Sequence, residues 1–334
     1  GISMPSRTAA SRRHRRRQRA ACSETSAVDS ARTTEVDTEI NDASTAELSG
    51  PHTLWPATPE STPPSSPRGG DSPLQLGFGG IAWPCTPQGF ATTASQAEAE
   101  ECEHLLAKLS EDAAGRAAVL EQLAGRAWAL ASSQAGCRVV QKALEVAETA
   151  ERVAIAQQLQ GHVREACASP HANHVLQKCI ELVPADRVQF VLAELRGHAV
   201  AASRHRYGCR VLERLIEHCS CYQTTALVDE VLAGAPQLCR HTFGNFVIQH
   251  ILVHGTDEQR QKVSAVLCAD IQRLARHRVA SHVVRCALVH CPPEDKQQLA
   301  QAMSADAGEF ADLAHHHCGS FVVREMKRAD AKRR

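Results

Sequence analysis

The 334-residue sequence lacks two features that would each place it in a familiar class. It has no CxxC pair among its 14 cysteines and no apolar signal-peptide core near its start, which argues against a disulfide framework. It also has no apolar run near the roughly 20 residues that span a bilayer, so we expect no membrane contact. We therefore expect buried, reduced thiols in a cytoplasmic protein, with a nuclear or nucleolar location as the alternative.

Net charge is absent as well, because 37 basic side chains balance 37 acidic ones. The balance conceals two unequal parts. Residues 131–334 carry 25 Lys and Arg against 21 Asp and Glu, together with 15 of the 18 histidines. This surplus of four cations is compatible with a polyanionic partner but is too small to identify one.

The composition changes near residue 94. Residues 1–94 are rich in Ser, Thr, Pro, Gly and Ala and predict a disordered arm, whereas residues 95–334 carry apolar residues at helical spacing and predict one helical domain. A basic run at residues 12–19 is interpreted as a nuclear address or RNA contact, or else as a solvated charge run. The arm also contains Ser/Thr-Pro pairs and scattered aromatics, which suit phosphorylation and the docking of protein partners.

A short segment recurs from residue 136 to the C-terminus. The residue after its initial Gly or Ala marks each copy; these markers are Cys137, Asn173, Cys209, Asn245, Ser281 and Ser320. The spacings between markers are 36, 36, 36, 36 and 39 residues. A constant period in this range indicates a solenoid of stacked repeats. Each unit predicts two helices, and we expect a longer turn at residues 304–309 to absorb the three extra residues.

Three positions in each copy are not explained by core packing. The Val-Val, Val-Leu or Val-Ile pair predicts the buried face of a helix, while the marker, the next residue and the residue four after the marker share the other face. The second position is always planar: Arg138, His174, Arg210, Phe246, His282 and Phe321. The third position bears hydrogen-bonding groups: Gln141, Gln177, Glu213, Gln249, Arg285 and Arg324. Planar groups on a regular pitch suit stacking on unpaired bases, so the pattern predicts a surface for single-stranded nucleic acid.

These segments resemble the repeats of the Pumilio (PUF) family over about residues 113–334. The strings Gly136–Glu145, Asn173–Glu181 and Gly244–His250 each resemble a different member of the family's series, in the same order. The resemblance implies an all-α, right-handed solenoid crescent with the second helices lining its concave face. It also implies an antiparallel RNA strand with its 3′ end at the N-terminal repeats, and control of mRNA translation or decay. Residues 95–130 contain no recognisable triplet, so we expect a degenerate capping repeat there, followed by six reading repeats.

The donors and acceptors at the first and third positions predict the base that each repeat reads. Amide pairs, which offer donors and acceptors, suit uracil: Asn173/Gln177 and Asn245/Gln249. The carboxylate of Cys209/Glu213 suits guanine, with adenine as the fallback, and Cys137/Gln141 resembles the family's adenine reader. The Ser–Arg pairs predict cytosine, with phosphate contacts by the arginines as the alternative: Ser281/Arg285 and Ser320/Arg324. Read antiparallel, the six pairs predict the core 5′-CCUGUA-3′.

Other functional classes are less well supported by the residues. No residue set predicts an enzyme, a cofactor or a metal site. His315–Cys318 invites a zinc interpretation, yet His205 and His241 recur at the same place in earlier repeats, which favours a repeat role such as helix capping.

Two alternatives stay open: a protein-binding scaffold of the armadillo or HEAT kind, and a family member that binds pre-ribosomal RNA with little sequence preference. The expected partner is single-stranded RNA, in an mRNA 3′ untranslated region, bound by a monomer. Protein partners are expected through the arm or the convex face.

Overall fold

A computed structural model describes residues 96–331, and this range contains nineteen α-helices and no β-strand. The first three are α1 (Gln96–Leu109), α2 (Ala113–Leu123) and α3 (Ala127–Ala131). Six marker helices carry the predicted triplets: α4 (Gly136–Val146), α7 (Ala172–Leu182), α10 (Gly208–His218), α13 (Gly244–His254), α16 (Ala280–His290) and α19 (Gly319–Ala331). The helix that follows each of the first five marker helices is called the long helix of the next repeat: α5 (Thr149–Gln157), α8 (Gln189–Leu195), α11 (Cys221–Ala233), α14 (Asp257–Cys268) and α17 (Pro293–Met303). Short helices complete the repeats: α6 (Val163–Ala168), α9 (Ala199–Arg204), α12 (Ala235–Leu238), α15 (Ile271–Arg276) and α18 (Ala307–His315).

The predicted all-α solenoid is confirmed for this part of the chain. None of the helices between residues 96 and 331 is long and apolar enough to cross a membrane. The predicted arm, with its basic run, its Ser/Thr-Pro pairs and its aromatics, lies outside the described residues.

Each repeat contains three helices rather than the two predicted. In the third repeat, α8 ends at Leu195 and α10 begins at Gly208, and the six-residue helix α9 lies between them. Six residues are less than two helical turns, too few to display a 3.6-residue hydrophobic period. The short helices were therefore not predicted.

The marker helices lie side by side, each packed on the next, from α4 to α19. Their apolar face forms the core as predicted: Val211, Leu212 and Leu215 of α10 are completely buried. Burial of one such side chain stabilises the fold by about 1.5–3 kcal/mol. The helix α1 packs on α4 and buries Cys102 and Leu105 one turn apart. It lies at the N-terminal end of the row of marker helices, and the capping role of residues 95–130 stays a prediction.

The small residue before each marker allows the short helix to approach the marker helix. A Cβ atom on Gly208 would lie 2.7 Å from the carbonyl oxygen of Ala202, and one on Gly319 would lie 2.4 Å from that of Leu313. Real Cβ contacts are essentially never this short, so a side chain at Gly208 or Gly319 would push these two helices apart, whereas the second and fifth repeats accommodate the buried methyl groups of Ala172 and Ala280 at this place.

Consecutive repeats are joined at the turn between the long and the short helix. Gly161 adopts a left-handed conformation (φ +85°), which glycine tolerates without steric cost. Its N–H donates to Glu194 Oε1 of the next repeat (2.7 Å), and the N–H of Val163 donates to Oε2 (3.1 Å). The same two bonds recur one repeat later on Glu230. A carboxylate from each of these long helices therefore caps the preceding repeat's short helix.

The three extra residues of the last repeat mainly lengthen a helix, whereas the sequence predicted a longer turn. The helix α18 has nine residues, compared with six in α15. Asp306 caps it by accepting from the N–H of Glu309 (2.8 Å). A capped helix satisfies the backbone groups that a longer turn would leave to solvent, which explains the difference.

Candidate nucleic-acid interface

The second-position side chains form the accessible part of the marker helices. Arg138, His174, His282 and Phe321 are exposed, while Arg210 and Phe246 are half-buried. Two neighbours in this row are in contact, since the Arg210 guanidinium lies 5.1 Å from the centre of the Phe246 ring. Six planar groups therefore follow one another on stacked helices, and their stacking on RNA bases stays a prediction.

The first positions are more buried than the sequence indicated. Cys209 is fully buried and Asn173 is 1% exposed; Ser320, in the last repeat, is half-buried. Each polar group donates to a carbonyl oxygen in the loop before its own helix, for example from Asn173 Nδ2 to Ser169 O at 2.7 Å. The corresponding donors in the other repeats are Cys137, Cys209, Asn245, Ser281 and Ser320. Asn, Cys and Ser therefore anchor the start of the marker helix as well as facing the third position.

The third position is oriented by the first in the two amide repeats. Gln177 donates from Nε2 to Asn173 Oδ1 at 2.9 Å, and Gln249 donates to Asn245 Oδ1 at the same distance. Among the described residues, Gln249 Oε1 is buried and has no hydrogen-bond partner. In the first repeat, Gln141 instead donates to the backbone carbonyl oxygen of Cys137 (3.1 Å).

The third repeat places a carboxylate at this position. Glu213 is 1% exposed, and its Oε2 atom accepts from Arg210 Nη1 at 3.0 Å. Burial raises the pKa of the Glu213 carboxyl, and the neighbouring Arg210 opposes this rise. Within the described part of the chain, Oε1 is buried without a partner. The repeat thus presents one unsatisfied acceptor beside a guanidinium that lies over the next aromatic ring.

The last two repeats carry arginines at the third position. Arg285 is half-buried and forms an ion pair with Glu325 of the next repeat (3.8 Å). Arg324 is exposed, and its guanidinium lies 5.4 Å from the centre of the Phe321 ring. The Arg285 guanidinium also lies near this ring, at 6.0 Å, so the two arginines share Phe321 and differ in the ion pair that Arg285 forms.

The recurring histidines cap the marker helices. The backbone N–H groups of Val279 and Ala280 donate to Nδ1 of His277 at 3.1 and 3.2 Å. The equivalent histidines in the other late repeats accept the same pair of bonds: His205, His241 and His316. Ser169 accepts the corresponding bonds in the second repeat. The predicted capping role is confirmed, and Nδ1 of His316 is already used for it.

The family model for the Pumilio-family RNA binding repeat matches this chain five times, at residues 127–159, 162–196, 198–232, 235–268 and 270–304. These matches cover about half of the chain and contain five of the six triplets. The chain belongs to the Pumilio family. The sixth triplet lies beyond the last match. Its helix, α19, packs on the preceding marker helix, α16, in the same way as the earlier marker helices of this Pumilio protein pack on their neighbours.

Solved Pumilio-family structures share the fold. The Puf3 RNA-binding domain bound to a Cox17 RNA 3′ UTR recognition sequence is 22% identical, with a TM-score of 0.63 over 70% of this chain and 73% of that one. PUF-8 in complex with PBE-RNA is 24% identical (TM-score 0.61; 71% of this chain, 76% of that one). The Puf4 RNA-binding domain bound to an HO endonuclease RNA 3′ UTR sequence is 21% identical (0.62; 70% and 73%). No curated protein matches the chain.

Proposed function

We propose that this protein binds single-stranded RNA in a sequence-specific manner, with one base read by each of six repeats. The observation that carries the proposal is the row of six accessible planar side chains on stacked helices, each flanked by hydrogen-bonding groups. Stacking on such groups is worth about 1–3 kcal/mol per base. The RNA complexes of Puf3, Puf4 and PUF-8, which share the fold, support this proposal.

Uracil is the base that fits the two amide repeats. One N–H of Gln249 is used by Asn245, which leaves the Oε1 acceptor and the second Nε2 hydrogen for a base edge. Uracil offers the complement, an N3–H donor beside a carbonyl acceptor. Gln177 is oriented in the same way by Asn173, so both repeats favour the same base.

Guanine is the base that fits the third repeat. Glu213 only accepts when ionised, and guanine presents adjacent donors at N1 and N2. The free Oε1 atom supplies one acceptor, and Oε2 becomes a second if Arg210 shifts fully onto the ring of Phe246. The Cys137/Gln141 repeat is assigned to adenine, because it resembles the family's adenine reader, with the small Cys against the purine.

Cytosine is the base assigned to the last two repeats. Arginine only donates, and cytosine presents neighbouring acceptors at O2 and N3. A short serine beside a long arginine leaves a pocket for a pyrimidine at Ser281/Arg285 and at Ser320/Arg324. With the strand antiparallel to the chain, the expected core is 5′-CCUGUA-3′.

The biological role that follows is post-transcriptional control of mRNAs carrying this core, with no catalysis by the protein itself. We place the site in mRNA 3′ untranslated regions and the protein, as a monomer, in the cytoplasm. Protein partners would bind away from the triplets, through residues 1–94 or the face opposite the marker helices.

Selection from a random RNA pool with the full chain tests this proposal. We expect enrichment of CCUGUA, with U at the third and fifth positions the most constrained. A protein-binding scaffold would enrich no RNA at all. A binder of pre-ribosomal RNA would retain many unrelated sequences, with a steep dependence of affinity on salt.

A further inference from the structure

Arg285 contacts a residue of the following repeat, and the residues at the same two positions are also close together one repeat earlier. Glu325, its ion-pair partner, comes directly after the third-position residue Arg324. Cys286 occupies the same place one repeat earlier, and its Sγ lies 3.8 Å from the backbone oxygen of Gln249, the preceding third-position residue. The residue after each of these two third positions therefore lies beside the third position of the previous repeat.

The residue directly after the third position is acidic in the last repeat and basic or uncharged in the earlier ones. The equivalent residues of the earlier repeats are Lys142, Lys178, Arg214, His250 and Cys286. Glu325 is thus the acidic member of the series, and it follows a repeat whose third position is arginine. Its side chain is 18% exposed, so solvent screens its pairing with Arg285 only in part.

We propose that Glu325 is a positioning residue for base recognition, which holds the Arg285 side chain at the base edge and away from RNA phosphates. The inference rests on the proposed function. An arginine near RNA can donate to a base or to a phosphate, and only the first use discriminates between bases. The Glu325 carboxylate lies 3.8 Å from Arg285 Nη2 and 3.7 Å from Arg328 Nη1, so it attracts both guanidinium groups and disfavours a phosphate beside them. The Nε atom of Arg285 is buried without a partner among the described residues and is left to donate to the base.

Arg324 provides an internal comparison. It carries the same side chain at the same triplet position and lies beside the same Phe321 ring, 5.4 Å from its centre against 6.0 Å for Arg285, but the described residues place no carboxylate within ion-pair distance of it. The proposed positioning should therefore affect the second base of the RNA, which Arg285 reads, and leave the first base, which Arg324 reads, unchanged.

The experiment compares the full-length parent with Glu325→Gln and with a matched control, Glu217→Gln. Glu217 belongs to another ion pair, with Arg214 of the third repeat, so its substitution changes net charge equally. Dissociation constants are measured for CCUGUA and for RNAs with U at the first, second or third base, at several salt concentrations. For Glu325→Gln we expect the C-over-U preference at the second base to fall about tenfold. We also expect the affinity for RNA to depend more steeply on salt, by about one phosphate contact.

Each outcome decides the inference. A second-base preference and salt dependence that stay at the parent values in Glu325→Gln would overturn it, and so would an equal loss in Glu217→Gln. The proposed function survives either result if the parent still prefers U at the third base. A parent that prefers no base at any position contradicts the proposed function, and this inference with it.

Discussion

Gln249 donates a hydrogen bond from its Nε2 atom to the Oδ1 atom of Asn245 across 2.9 Å. Asn245 is itself fixed, because its Nδ2 atom donates to the backbone oxygens of His241 and Thr242 (2.8 and 2.9 Å). The chain of bonds runs from the helix start to the third position. It determines which end of the glutamine amide is acceptor and which is donor.

Asn245→Ala should therefore weaken base discrimination while Gln249 is still present. Without its partner the glutamine amide can rotate, and uracil and cytosine differ mainly in which edge atoms donate. We expect U-over-C preference at the third base to fall by about 1 kcal/mol. Binding to RNAs with U or C at that base, measured well below the melting temperature, checks this. Asn173→Ala should affect the fifth base instead; equal losses at both bases in either variant would contradict the assignment.

Phe246→Ala should lower the affinity for RNA whichever bases lie beside the ring. The substitution removes a ring from between two bases, so we expect a loss of about 1–3 kcal/mol with little change in melting temperature. Isothermal titration and thermal melting together measure both quantities. Tyr222→Ala is the control, because this ring is 92% exposed and lies on the long helix α11, away from the triplets. An unchanged dissociation constant for Phe246→Ala would count against the stacking assignment.

The repeat period and the second-position row could be predicted from sequence because each depends on residue type at a fixed spacing. The Val-Leu pair of α10 is buried as its spacing indicated, and the planar residues remain accessible. The short helices could not be predicted, because a segment such as Ala199–Arg204 is too brief to show periodicity.

Contacts between repeats could not be predicted from the sequence either. Arg285 and Glu325 are 40 residues apart, and nothing in their spacing indicates an ion pair until the helices are stacked. The burial of Asn173 was missed for a different reason: Asn, Cys and Ser suit a base edge and a helix start equally well. Comparison of i, i+4 pairs would have suggested the Asn173–Gln177 bond.

Stability should fall as pH is lowered from 7.5 to 5.5. Burial lowers the pKa of His205, His241 and His277, and it lowers the pKa of His250 to about 4. The unfolded chain, with ordinary histidine pKa values near 6.5, therefore takes up protons that the folded chain does not. The stabilisation is fully present above about pH 6.5 and is lost progressively as pH falls toward the folded pKa values. Urea unfolding across this range measures it.

A serine at a capping histidine position provides the control for this pH dependence. Ser169 accepts the same two backbone bonds in the second repeat, so His277→Ser retains a cap without a titrating group. The variant should lose less stability between pH 7.5 and 5.5 than the parent. A parent that is more stable at pH 5.5 than at pH 7.5 would show that the histidines do not carry this linkage.

Glu194→Ala should destabilise the solenoid between its second and third repeats. The substitution removes both acceptors from the turn at Gly161 and leaves the short helix α6 without its cap. Loss of a helix cap costs about 0.5–2 kcal/mol. Glu145→Ala is the comparison, since Glu145 forms solvent-exposed ion pairs with Lys142 and Lys178, which are worth about 0–1 kcal/mol. Equal denaturation midpoints for the two variants would argue against a specific role of the cap.

Arg285→Gln and Arg324→Gln test which bases the last two repeats recognise. If each guanidinium donates to cytosine O2 and N3 from two nitrogens, a glutamine, which has a single amide nitrogen, cannot replace that fork, and the preference for C over U should fall at one base alone. We expect Arg285→Gln to relax the second base and Arg324→Gln the first, each by about 1–3 kcal/mol. Binding of the parent and both variants to CCUGUA, UCUGUA and CUUGUA measures this. If the arginines contact phosphates instead, each variant should weaken all three RNAs equally and reduce the dependence of affinity on salt. That result would remove cytosine from the predicted core and leave four specified bases, UGUA.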